Sequence, residues 1–227
     1  MISRRNKLYI ILALGLVFSF TYYNVPDYSD NNNKTYENKI PLNLKGKKVT
    51  FPFYLYKNYG SIGNVHYFPT GRMGDYLTIR FWGNCKQKPF QGISCIKVVY
   101  DPVFDPEMNE EHWAGVFWLN PANNWGFIPH QGYDLRGATK LVFYARGEQG
   151  GEEVRFTMGG VRGPYPDSGC TDEMVVTLSK KWKRYQISLK GIDLSYIIGG
   201  FCWVVSYQNN SQGSVFYLDE IYYTDRE

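Results

Sequence analysis

HWAGVFWLNPANNWG, residues 112–126, decides how the rest of this chain is read. It carries three of the six tryptophans, Trp113, Trp118 and Trp125, and three asparagines, Asn120, Asn123 and Asn124. At a period of two, Trp113, Gly115, Phe117 and Leu119 share one face of a strand, and Ala114, Val116, Trp118 and Asn120 share the other. The PANNWG that follows has turn chemistry plus one large aromatic. Trp113 goes with Phe117 and Leu119 to the core. Trp118, Asn120, Asn124 and Trp125 then form an exposed set of stacking rings and amides. The alternative is two ordinary core tryptophans and a polar turn, because large aromatics usually pack inside.

Outward from this stretch the chain is a series of short alternating runs separated by Gly, Pro and Asn. Leu77, Ile79 and Phe81 alternate with Tyr76, Thr78, Arg80 and Trp82. Ile96, Val98 and Tyr100 alternate with Cys95, Lys97 and Val99. Further runs follow at 140–146, 153–158, 174–178, 183–189, 201–207 and 214–223. In LVFYARG, Leu141, Phe143 and Ala145 oppose Val142, Tyr144 and Arg146. In EVRFTM, Val154, Phe156 and Met158 oppose Arg155 and Thr157. Tyr144, Arg146 and Arg155 join the exposed set if their faces belong to one sheet. Spacing and turn signals of this kind predict one all-β sandwich over residues 49–227.

Composition agrees. The 227 residues include 20 Tyr, 23 Gly and 11 Pro, a strand-and-turn mixture. The formal net charge is +4, but Arg4, Arg5 and Lys7 precede any acidic residue, and without them 22 basic side chains face 21 acidic ones. A near-neutral domain has no basic stripe for nucleic acid. Those three basic residues lead into an apolar run from Leu8 to Phe20, the pattern of an export signal or signal anchor over residues 1–23. That run is shorter than the ~20 residues of a comfortable span. Residues 24–48 read as a polar spacer. The domain is expected outside the cell, secreted or anchored, touching membrane only through its N-terminal segment. Oligomeric state is not legible. Outside the cell disulfides form. Cys85 and Cys95 flank KQKPFQGIS, residues 86–94, a loop between two strands that a bridge would close; Cys170 and Cys202 remain.

Three motifs in order, DLRGATKLVFYARG, WKRYQISLKGIDLS and FYLDEIYY, resemble exported galactose-binding-like jelly-roll modules, which are similar to several carbohydrate-binding-module families. WAGVFWLNPANNWG, NVHYFPTGRMGDY and CIKVVYDP fit the same pattern, so the resemblance spans most of residues 50–225. It implies a jelly-roll β-sandwich and a polysaccharide or glycan partner, for which the exposed set read from the strand faces and the loop, Trp118, Asn120, Asn124, Trp125, Tyr144, Arg146 and Arg155, is the candidate binding surface. It also implies a structural Ca2+ held by the Asp of the final strand, Asp219 here. Asp75, at the entry to an early strand, is the candidate second ligand. The competing reading pairs Asp219 with Arg, Lys or Tyr.

Catalysis is not indicated. Glycoside hydrolysis needs two carboxyl groups about 5–9.5 Å apart. Asp219 and Glu220, adjacent on a strand, are expected on opposite faces. Asp101, Asp105, Glu107, Glu110 and Glu111 sit in a loop without strand geometry, and the three histidines are scattered. A non-catalytic glycan-binding module is the leading reading. An exported structural or adhesion domain comes next, and a sandwich-fold glycan-active enzyme after it.

Overall fold

The computed structural model describes residues 9–11, 17–19, 44–61, 66–102 and 112–226. In chain order the domain's strands are β1 (Lys47–Lys48), β2 (Phe53–Tyr56), β3 (Phe68–Gly74), β4 (Ile79–Cys85), β5 (Cys95–Tyr100), β6 (Trp113–Leu119), β7 (Tyr133–Asp134), β8 (Lys140–Gly147), β9 (Glu153–Thr157), β10 (Met174–Thr177), β11 (Lys183–Ser188), β12 (Gly199–Ser206) and β13 (Ser214–Thr224). Upstream, Tyr9–Ile11 pairs antiparallel with Val17–Ser19. The rest of residues 1–23, expected to be an export segment, the residues 24–43 expected to be a spacer, and the acidic residues Asp105, Glu107, Glu110 and Glu111 lie outside the described residues. Among the described residues no helix is long and apolar enough to cross a membrane.

Two antiparallel sheets form the sandwich. The first has the order β11-β8-β13-β5-β4, with β2 completing six strands beside the C-terminal half of β13. The second has the order β10-β9-β12-β6-β3. Their facing surfaces interdigitate: Leu141, Phe143 and Phe216 from the first sheet pack with Phe156, Phe201 and Trp203 from the second. Phe143 lies 4.5 Å from Phe156 and 5.4 Å from Phe201, centroid to centroid. Inward aromatics alternating with outward polar residues are what hold two twisted sheets face to face.

The stretch 113–119 departs from the expected sidedness. Trp118 is 2% exposed and points into the main core, edge-on to Phe201 at 6.1 Å. Trp113, Phe117 and Leu119 face the other way into a second apolar cluster with Met73, Cys202 and Val204. The reason is position: β6 lies between β12 and β3, and loops cover its far side, so both faces are buried.

The long strand β13 carries the other departure. Tyr144 pairs with Asp219 and Val142 with Tyr222, so Glu220 and Ile221 together oppose Phe143 in a β-bulge. Glu220 adopts φ +48°, left-handed backbone that a side chain disfavours. The bulge brings Asp219 and Glu220 to the same outer face, where alternation had separated them. Asp219 meets loop 86–94 there, and Glu220 interacts with Tyr54, whose ring lies 5.0 Å from that of Tyr222.

Candidate functional site

The outer face of the first sheet carries a row of aromatic and cationic side chains in which Trp82 is exposed and Tyr217 and Arg146 are buried. Its strands place outward residues in register: Trp82 pairs with Lys97, Lys97 with Tyr217, and Tyr217 with Arg146. Trp82 is 46% exposed. The Lys97 ammonium lies 5.8 Å from the Tyr217 ring centre, and the Arg146 guanidinium lies 3.7 Å from it on a near-stacking contact. Trp182 closes the row, its ring 5.4 Å from the same guanidinium. Cations against ring faces are favourable and tie the row together.

At one end of this row Trp82, Asn84, Cys85, Gln87 and Lys97 line a cleft of about 260 Å³. One indole face, two amides and an ammonium supply a stacking surface plus donors and acceptors, and the lining has no carboxyl group. Lys97 donates to Gln87 Oε1 at 3.4 Å, which orients the amide. A larger cavity of about 590 Å³ is lined by Arg80 on β4, Val99 on β5 and the loops 148–152 and 209–214. Its lining mixes polar and apolar groups and includes none of the exposed aromatics, so stacking belongs to the Trp82 end.

Loop 86–94 lies on the middle of the face. Phe90 stacks on Tyr144 at 3.7 Å and 17°. The Phe90 and Gln91 amides donate to Asp219 Oδ2 at 2.8 and 3.3 Å, and Glu220 N–H donates to Oδ1 at 2.9 Å. Trp182 Nε1 donates to the Lys88 carbonyl, and Arg146 to the Gln87 carbonyl. Burial pushes the Asp219 carboxyl up to about 7 against the pull of those three amides. Burial raises Glu220 as well, and burial together with Glu220 pushes the Tyr54 hydroxyl up to about 12.

The residues proposed from sequence scatter. Tyr144 and Arg146 do lie on the outer face, but Tyr144 is under Phe90 and Arg146 is 8% exposed. Trp118 is core. Asn120 and Asn124 are the scaffold of their loop: Asn120 donates to the Gln131 carbonyl, and Asn124 Oδ1 accepts from the amides of Gly126, Phe127 and Ile128, each at 3.1 Å. Trp125 packs edge-on against Phe117, 6.0 Å away. Arg155 lies on the other sheet, 3.7 Å from Glu173. The candidate cation ligands do not share a site. Asp219 is enclosed by N–H donors, whose positive ends repel a cation, and Asp75 faces His112 at 3.1 Å. Among the described residues no three His, Cys, Asp or Glu converge. Cys85 and Cys95 stand opposite each other on β4 and β5 but are free thiols, as are Cys170 and Cys202. Each of the first pair turns to Gln87, one to its side-chain oxygen and one to its carbonyl.

Trp82 is the residue that sequence reading passed over. Its signal was present, a tryptophan in the polar phase of a strand, beside Arg80 and opposite Ile79 and Phe81.

No family model matches the chain, and no curated protein does. Among solved structures, the family 30 carbohydrate-binding module of the cellulosomal cellulase Cel9D-Cel44B of Clostridium thermocellum superposes with a TM-score of 0.51, at 14% identity over 78% of this chain and 99% of that one. A further family 30 carbohydrate-binding module gives 0.50, also at 14% identity, over 78% of this chain and 100% of its own. The domain described here has the jelly-roll fold of those modules.

Proposed function

We propose that this domain is a non-catalytic glycan-binding module working on the cell exterior, and that it holds its ligand at the Trp82 cleft. The observation that carries this reading is a half-exposed tryptophan set among Lys97, Asn84 and Gln87 on a sheet face. An indole face covers the apolar face of a sugar ring at about 1 kcal/mol, by analogy with aromatic pairs. The amides and the ammonium bond the ring hydroxyls around it. The jelly-roll fold shared with carbohydrate-binding modules supports the same reading. Catalysis is disfavoured because the two carboxyl groups that the bulge brings together, Asp219 and Glu220, are 0% and 4% exposed and neither lines the cleft. The basic, apolar N-terminal segment is the basis for an exported location.

The test is affinity electrophoresis of the full chain through gels containing soluble mixed-linkage β-glucan, xyloglucan, galactan, mannan or polygalacturonate. At least one polysaccharide is expected to retard the wild type, and Trp82→Ala to weaken that retardation by about fivefold. The thermal midpoint of the variant is expected to stay within about 2 °C, since an exposed ring carries little of the core. Equal retardation of wild type and variant on every retarding gel would remove Trp82 from the site.

A further inference from the structure

We infer that loop 86–94 is a tethered internal ligand, with Phe90 occupying a second glycan subsite on Tyr144 that an incoming sugar takes over by displacing the loop. This rests on the glycan-binding reading above and extends it to the middle of the same face.

The subsite under the loop is built in the way a sugar site is built. Tyr144 is flanked in register by Arg184 on β11 and by Asp219 on β13, a ring between a guanidinium and a carboxylate. Trp182 stands edge-on to the space above it, 6.2 Å from Phe90. Phe90 fills that space as a six-membered ring stacked nearly parallel on Tyr144. Its own amide and that of Gln91 supply the two N–H donors that Asp219 accepts, where adjacent hydroxyls of a sugar would donate. The Lys88 carbonyl takes the indole N–H of Trp182, which is otherwise a donor for a ring or hydroxyl oxygen. The loop thus satisfies the ring face, the carboxylate and the indole at once.

Its attachment is also of a kind that releases. Phe90 remains 39% exposed although stacked, so its own ring is not sealed into the core. Lys88 holds φ +50°, a left-handed conformation costly for a side chain, and Gly92 holds φ +70° at the other end. Gln87 joins the two subsites, since its side chain lines the Trp82 cleft and its carbonyl accepts from Arg146.

The test compares wild type, Phe90→Ala, Phe90→Ala/Tyr144→Ala and Phe90→Ala/Trp82→Ala on the same five polysaccharide gels. Removing the internal ring is expected to tighten binding roughly three- to tenfold on at least one polysaccharide, the value of one vacated stacking contact. The added Tyr144→Ala is expected to abolish that gain. Amide exchange in the wild type supplies a readout that needs no variant. With the retarding polysaccharide, or an oligosaccharide cut from it, the Phe90 and Gln91 amides are expected to lose protection. Equal or weaker retardation of Phe90→Ala, a gain that survives Tyr144→Ala, or protection that persists in bound wild type would each overturn the proposal. The Trp82 reading fails separately, when Phe90→Ala/Trp82→Ala is retarded as strongly as Phe90→Ala.

Discussion

Trp118→Ala is expected to destabilise the domain by about 3–5 kcal/mol, the range for deleting a large aromatic from a packed core. Its indole is 2% exposed, lies between the sheets and meets Phe201 edge-on. Its Nε1 has no hydrogen-bond partner among the described residues, so the loss is one of packing and burial alone. For a domain of this size each kcal/mol moves the thermal midpoint by about 2–4 °C, which puts the shift on the order of 10 °C. Urea unfolding of wild type, Trp118→Ala and Trp82→Ala measures the contrast directly. Trp82→Ala, at a position 46% exposed, is expected to cost less than about 1 kcal/mol of stability while weakening glycan retention. The opposite pattern, a stable Trp118→Ala that no longer binds, would return Trp118 to the surface and displace the site proposed here.

That contrast marks where sequence reading reached and where it stopped. The all-β sandwich is legible because most strands alternate polar and apolar residues, as in LVFYARG, whose Tyr144 and Arg146 face outward as expected yet are covered. WAGVFWL was different. It has no charged residue on either face, so a period of two sorts its residues into two sets without saying which set is outside. The answer lies in neighbours far along the chain: β12 and β3 flank β6, and a second apolar cluster covers its far side. The bulge at Glu220 was equally hidden, because alternation assumes regular backbone and φ +48° breaks it. The covering of Tyr144 by Phe90 is a contact between residues 54 apart, carried by a loop that reads locally as a polar connection. Asn124 illustrates a further limit. An asparagine between a proline turn and a tryptophan looks like a ligand group, yet three amide hydrogens of its own loop consume its oxygen.

Buried carboxyl groups make the domain's stability depend on pH in an unusual direction. Asp167 Oδ1 accepts from the Ile198 and Gly199 amides and Oδ2 from that of Val161, yet burial pushes its carboxyl up to about 7. Asp219 is pushed to the same region. Each releases its proton near pH 4 in the unfolded chain and only near pH 7 in the fold. Across that window the folded state holds more protons, so stability falls as pH rises through it. Some groups oppose this. His66 is lowered by burial, so below about pH 6.5 the unfolded chain takes its proton first. Asp134, held low by Arg136, contributes stability that is lost only as pH falls below about 4. Two carboxyls moved far outweigh one histidine moved less, and the thermal midpoint is expected to be on the order of 10 °C higher at pH 5 than at pH 8. Asp167→Asn separates the cause. An amide offers one acceptor oxygen to donors on both sides, so one amide hydrogen of the trio loses its partner and the variant drops by about 1–3 kcal/mol at pH 5. Because it cannot ionise, much of the pH slope should disappear with it. A wild-type midpoint that is flat or rises from pH 5 to pH 8 would contradict this account, and a full slope in Asp167→Asn would move its source to Asp219. That second result would tie the slope to loop 86–94, since the Asp219 carboxylate is what the Phe90 and Gln91 amides hold.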